Sequence, residues 1–181
     1  MHPTRPTRRD LLLGGAALLV VPATFRTARA QATARYSVEV VVFQQPGLGP
    51  PAASVMTVPR AQAPAGRVEL LPASEWQLGN VAGGLKRSSG YRVLGHAAWA
   101  ANVPANGTLT ANVEEVLPGT GLSGAVAVQR GQFLFLRVEL DYATPEGHVY
   151  QMRERRRVKF NERHYFDHPA LGVIAVVSPA A

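Results

Sequence analysis

The chain has 181 residues, a formal net charge of +7 and no cysteine, which excludes disulfide staples, thiolate chemistry and an acyl anchor on a lipoprotein cysteine. Five Arg and one Asp fall within the first 30 residues, leaving 14 basic and 11 acidic residues and a net charge of +3 for the remainder. That charge is too mild to argue for nucleic acid by itself, and the remaining length suits one domain with a core rather than two.

Residues 1–10 carry Arg5, Arg8 and Arg9, residues 11–23 form a 13-residue apolar run, and Ala28-Arg29-Ala30 is a small-x-small cleavage site. This order of charge, apolar core and small residues predicts a signal peptide over 1–30, cut after Ala30 to leave Gln31 first. A helix needs roughly 20 apolar residues to span a bilayer, so the run is not a permanent anchor. Thr7-Arg8-Arg9-Asp10-Leu11-Leu12-Leu13 resembles the twin-arginine export motif, with Leu11 where Phe is more usual and Leu13 where Lys is common. An ordinary Sec signal remains the alternative. Either route predicts a periplasmic or otherwise extracytoplasmic protein of one domain, 31–181.

Tyr36 to Phe43 (YSVEVVVF) is apolar on both alternations, the pattern of a central strand buried on both faces. Residues 45–73 hold six prolines among Ala and Gly and read as a long loop. Ser74 with Gln77 three residues later has the form of a capping box, and Leu78, Val81, Ala82 and Leu85 fall on one helical face. A helix is expected from Ser74 to about Ser88-Ser89-Gly90. Gly83-Gly84 inside it cost roughly 1 kcal/mol each relative to Ala, so the helix depends on packing. Strand alternation follows at 91–99, 108–116, 122–129, 132–142, 149–160 and 172–177, with turns at Asn106-Gly107, Pro118-Gly119, Arg130-Gly131 and Pro145 to Gly147. The expected fold is α+β: a mostly antiparallel sheet of about seven strands with one helix between the first two strands. Those first two strands could pair in parallel through a right-handed crossover.

The hairpin 132–160 has the strongest pattern. Leu134, Leu136, Val138, Leu140 and Tyr142 share one face, while Phe133, Phe135, Arg137, Glu139 and Asp141 share the other. On the second strand Arg153, Arg155, Arg157 and Lys159 alternate onto a single face, a row roughly 20 Å long at ~3.3 Å per residue. Polar face against polar face puts this row beside Arg137, Phe135 and Phe133. Guanidinium groups fork onto carboxylates, and aromatic faces pack on sugar rings, so the strip suits an anionic glycan such as peptidoglycan. The competing reading is a solvated face partly neutralised by Glu139 and Asp141, with arginines protecting an edge. Arg156 falls on the opposite face near Glu154, as expected of a structural pair.

His164-Tyr165-Phe166-Asp167-His168-Pro169 contains ordinary zinc ligands, but Pro169 and the following strand pattern oppose the helix that would align His164 with His168. A turn is expected instead, with Asp167 accepting backbone hydrogen bonds. Trp99 reads as core and His96 as partly exposed. Glu114 and Glu115 on a strand would point to opposite faces, unlike a catalytic pair, and neither a Gly-x-Ser-x-Gly elbow nor a phosphate loop occurs. A non-enzyme without metal or cofactor is expected. The rival readings are an adaptor docking through an exposed strand or the loop, and a metal-dependent hydrolase using His164, Asp167 and His168.

Several segments together are similar to the CsiV family of periplasmic peptidoglycan-binding proteins. They are Tyr36 to Gln44, Leu85 through Tyr91-Arg-Val-Leu-Gly-His-Ala-Ala-Trp99, Leu122 to Val128, Phe133-Leu-Phe-Leu136, Arg155-Arg156-Arg157, and His164 to Val173. The resemblance covers most of 36–178. It implies a non-catalytic cell-wall binding protein, associated with a lipoprotein activator of a bifunctional penicillin-binding protein and so with wall synthesis and cell shape. It supplies no set of binding residues.

Overall fold

The chain divides into two units, Met1–Ala30 and Gln31–Ala181. The computed structural model describes residues 33–46, 66–145 and 147–180, all in the second unit. Arg8, Arg9, Ala28, Ala30 and loop residues 47–65 lie outside the described residues.

Strand β1 (Thr33–Gln44) is the hub of the fold. It lies between β3 (Arg92–Pro104) and β9 (Leu171–Pro179), and β2 (Glu69–Leu70) and β8 (His164–Asp167) complete a five-stranded sheet in the order β2-β3-β1-β9-β8. A second sheet, in the order β4-β5-β6-β7, is built from β4 (Thr108–Asn112), β5 (Leu122–Arg130), β6 (Leu134–Ala143) and β7 (Val149–Val158). Every pairing is antiparallel.

The core lies between the sheets. Alternate residues Tyr36, Val38, Val40 and Val42 of β1, with Trp99 of β3, meet Val126, Leu136, Val138, Leu140 and Met152 of the second sheet. Trp99 is 1% exposed, and complete burial of a large apolar side chain contributes about 1.5–3 kcal/mol. The other face of β1 is covered by α1 (Gly79–Arg87), whose Leu78, Val81, Ala82 and Leu85 pack on Val41, Val93, Ile174 and Val176. A helix layer, a sheet and a second sheet thus place β1 between two apolar contacts. This is why its sequence is apolar on both alternations.

Several details differ from the sequence expectation. There are two sheets with nine strands among the described residues, rather than one sheet of about seven. β1 and β3 are antiparallel, with Gln44 opposite Arg92 and Thr33 opposite Pro104, not a parallel pair. β2 and α1 carry the chain back toward the end where β1 finishes, so β3 must return in the opposite direction. Ser74 lies in a 3-10 turn, Ala73–Glu75, and α1 starts only at Gly79 without any side-chain cap from its N-cap residue Leu78. The helix does stop as expected at Ser88, with Lys86 and Arg87 in its last turn, favourably placed at the negative end of the helix dipole. Within the nominal loop, β2 forms a two-residue edge strand.

The predicted strand 108–116 breaks at Asn112, where the one-turn helix α2 (Val113–Val116) buries both valines. Glu114 and Glu115 are therefore helical. Glu115 Oε1 accepts from Asn112 Nδ2 (3.0 Å), while Glu114 Oε2 accepts from the Gly124 amide (3.3 Å). Asn112 and Glu115 have the capping-box spacing, but the Asn112 side chain makes no cap bond and donates to Glu115 instead. His164–Asp167 is a strand rather than a turn, and the turn falls at His168-Pro169-Ala170, closed by reciprocal bonds between the backbones of His168 and Leu171.

Candidate functional site

In the hairpin of β6 and β7, Phe135 stands opposite Arg157, Arg137 opposite Arg155, and Glu139 opposite Arg153. Directly opposed residues share a face, so the charged and aromatic groups gather on the outer side of the second sheet while Leu136, Val138 and Leu140 are buried beneath. The arginines lean diagonally onto the rings. The Arg157 guanidinium carbon lies 3.5 Å from the Phe133 ring centre, and that of Arg155 lies 3.6 Å from the centre of Phe135. Each such contact contributes about 0.5–1 kcal/mol at an exposed site. Arg155 also donates to Gln129 Oε1 of β5 (3.0 and 3.3 Å).

The strip is not uniform. Arg153 is held by Asp141 and by the carbonyls of Leu140 (2.7 Å) and Met152 (2.9 Å), so its charge is spent on the sheet itself. Arg137 lies 3.4 Å from Glu139. Lys159 follows the last residue of β7 and pairs with Glu162 at 3.3 Å. Among the described residues, Arg155 and Arg157 alone in this strip combine an aromatic support with no carboxylate partner. Arg156, on the other face, bonds Glu154 (2.6 Å) and sits 5.5 Å from the centre of Phe166, and Glu154 Oε2 accepts from the Asp167 amide (3.1 Å).

The His164–His168 segment forms no metal cage. The His164 ring lies against the Lys159 backbone, His168 Nδ1 accepts from the Ala170 amide, and no group of three or more His, Asp or Glu side chains converges among the described residues. Asp167 Oδ1 instead accepts from the Tyr165 hydroxyl and from Gln45 Nε2, both at 2.7 Å. Gln45 also donates to the carbonyl of His168 at 2.8 Å, pinning the end of β1 to the β8–β9 turn.

A family model for CsiV, a peptidoglycan-binding protein, matches residues 51–180. The chain belongs to the CsiV family. No curated protein and no solved structure matches it. Of the CsiV resemblance segments, His164 to Val173 and Tyr91 to Trp99 meet at β1, whereas the arginine run occupies the other sheet. Among the described residues of this CsiV member, no helix is long and apolar enough to cross a membrane.

Tyr165 gives a test of this local geometry. Its ring is 41% exposed, but its hydroxyl is tucked against Gln45 and Asp167, and burial followed by the Asp167 hydrogen bond pushes its pKa up to about 12. The Tyr165 hydroxyl in turn holds the Asp167 carboxyl below the usual carboxylate range, with help from Gln45, and burial lowers His168. For Tyr165 the folded value lies above the ordinary value of 10.0, so its stabilising contribution is full below pH 10 and is lost as pH rises towards 12. Tyrosinate absorbance, compared between the wild type and Tyr165→Phe, should show one late ionisation missing from the variant. A difference spectrum with its midpoint near 10 would contradict the hydrogen-bonded geometry.

Sequence reasoning missed Glu39. It is 4% exposed on the helix-facing side of β1, where Oε2 accepts from the Gln77 amide (2.6 Å) and Oε1 from the Leu78 amide (2.8 Å) and His96 Nε2 (2.7 Å). The available signal was its position as the lone charge in an apolar run, because a charge buried in a central strand must be paired. His96, expected to be partly exposed, has a side chain only 10% exposed, lies against the Trp76 ring at 4.2 Å and belongs to this structural cluster.

Proposed function

We propose that this CsiV-family chain is an exported, non-catalytic protein that binds peptidoglycan through the outer face of β6 and β7 and supports wall synthesis or cell shape. One observation carries this reading: the guanidinium groups of Arg155 and Arg157 sit over the rings of Phe135 and Phe133, with no carboxylate to neutralise them among the described residues. Arg157 and the part of Arg155 not bonded to Gln129 can fork onto the carboxylates of wall stem peptides, while Arg153, Arg137 and Lys159 are each paired with an acidic neighbour. The ring stacking limits the side-chain entropy lost on binding, which favours affinity without a deep pocket. The family description supports the same ligand. Signal residues Arg8 and Arg9 and cleavage after Ala30 would deliver the protein to that wall.

The test is co-sedimentation with purified sacculi at low and high salt, beside Arg155→Glu/Arg157→Glu, with the variant's fold checked by circular dichroism and thermal melting. Both side chains are on the exposed face, so the variant keeps the core. Wild-type protein should sediment, with binding weakened by salt and at least about tenfold by the charge reversal, as expected when roughly 1.4 kcal/mol or more of charge-assisted contact is lost. Wild-type protein left in the supernatant at both salts would overturn the proposal and favour an adaptor that docks a penicillin-binding-protein activator.

A further inference from the structure

A second candidate surface lies at the end of the first sheet, where β1 finishes and β3 begins. Gln44, Gln45 and Pro46 on one side and Ser89, Gly90, Tyr91 and Arg92 on the other line an open pocket of about 300 Å³. Its size falls at the small end of small-molecule sites. Tyr91, which lines it, belongs to an aromatic row: the rings of Phe43 and Tyr91 meet edge to face at 5.5 Å, and those of Phe43 and Tyr165 are stacked at 6.3 Å. Phe43 is buried, whereas Tyr91 and Tyr165 are 39% and 41% exposed, so the row is anchored at its centre and open at both ends.

The polar groups have unmet demands. The Gln44 side-chain oxygen is buried with no hydrogen-bond donor, which is unusual for a folded interior. Arg92 stands opposite Gln44 in the strand register, is exposed, and has no ion-pair partner among the described residues. Gln45, by contrast, is fully engaged with Asp167, Tyr165 and the His168 carbonyl, which makes that wall rigid.

We infer that this pocket is a saccharide subsite for the amino-sugar glycan of the wall, with Tyr91 stacking on a sugar ring and Arg92 and Gln44 hydrogen-bonding the sugar substituents. The inference rests on the peptidoglycan reading above and adds a second contact, separate from the arginine face. The chemistry favours a sugar over other small ligands. The exposed Tyr91 face suits the apolar face of a pyranose, and its hydroxyl tolerates water. A lone arginine offers too little charge for a polyphosphate, and the cavity's polar rim is a poor match for an acyl chain. An acetamido group presents both an N–H, which the Gln44 oxygen lacks, and a carbonyl for Arg92. A lactyl carboxylate would fit Arg92 as a charge-assisted partner.

Protein expressed from the full chain is assayed against intact sacculi and against glycan strands freed of stem peptides by amidase. Variants are Tyr91→Ala, Arg92→Gln and the Arg155→Glu/Arg157→Glu pair, each checked for a wild-type melting profile. Tyr91 and Arg92 are exposed at a strand start, and Arg92→Gln keeps the inference testable should Tyr91→Ala unfold. The expected result is that peptide-free strands bind the wild type, that Arg92→Gln and Tyr91→Ala weaken that binding about tenfold or more, and that the Arg155/Arg157 reversal lowers binding to intact sacculi by a larger factor than binding to strands. Sacculi that bind while peptide-free strands do not would overturn the subsite and leave the arginine face standing. Strands that bind all variants equally would also overturn it. Failure of sacculi and strands alike would remove the underlying peptidoglycan reading as well.

Discussion

Glu39→Ala is expected to lower the unfolding free energy by about 3–5 kcal/mol, because it removes the buried acceptor shared by three hydrogen-bonding groups. The carboxylate joins three elements. It accepts the amides of Gln77 and Leu78 at the entrance to α1 and the Nε2 of His96 on β3, all within 2.8 Å, from a position on β1 that is 4% exposed. Truncation leaves two amides and an imidazole without an acceptor in a poorly solvated place, and each unsatisfied group costs about 1–3 kcal/mol before relaxation. α1 has no side-chain cap of its own and carries Gly83 and Gly84, so it is the element least able to absorb the loss. Urea unfolding measures the total, and hydrogen exchange locates it. Protection should fall first in Gly79–Arg87 and the adjoining turn. Glu39→Gln, which retains one acceptor, should cost roughly 1–3 kcal/mol. A Glu39→Ala protein within about 1 kcal/mol of wild type, with α1 still protected, would show that the carboxylate is not the helix cap.

Gly124→Ala should be nearly as damaging, at about 3 kcal/mol or more, through backbone geometry rather than charge. Gly124 sits in β5 at φ +134°, a region that L side chains rarely adopt, and a Cβ there would be driven into the carbonyl oxygen of Glu139 on β6. That oxygen belongs to the strand that carries Phe135, so relief requires the β5–β6 ladder to open. The close approach also brings the Gly124 amide within 3.3 Å of Glu114 on α2. Gly119 is the internal control. It too has positive φ (+72°), but nothing lies within 4 Å of its missing Cβ. Gly119→Ala should therefore cost only the left-handed strain of about 1–2 kcal/mol. Equal losses at the two glycines in denaturant titrations would mean that the Glu139 contact is relieved without penalty.

The sequence by itself determined the elements whose periodicity reports one local surface. β1 was legible because a strand pressed between a helix and a second sheet must be apolar on both alternations, and the inner face of the β6–β7 hairpin because it alternates strictly. The α1 contact face was legible for the same reason. Its starting point was not, because the cap comes from Glu39, far away in the chain, while Ser74 and Gln77 satisfy the local pattern without forming the box. The arginine row was visible in the alternation, and the Arg156 pairing with Glu154 followed from it.

Which of those arginines keep an unneutralised charge was decided only by the tertiary structure. Arg153 and Arg155 look equivalent two residues apart, yet the register puts Asp141 within reach of the first and the Phe135 ring under the second. The division into two sheets, the antiparallel return of β3 and the meeting of Phe43, Tyr91 and Tyr165 likewise depend on contacts between distant segments. Alternation tells which way a side chain faces relative to its own strand; what it meets there is set by chain return and register, which no local pattern encodes.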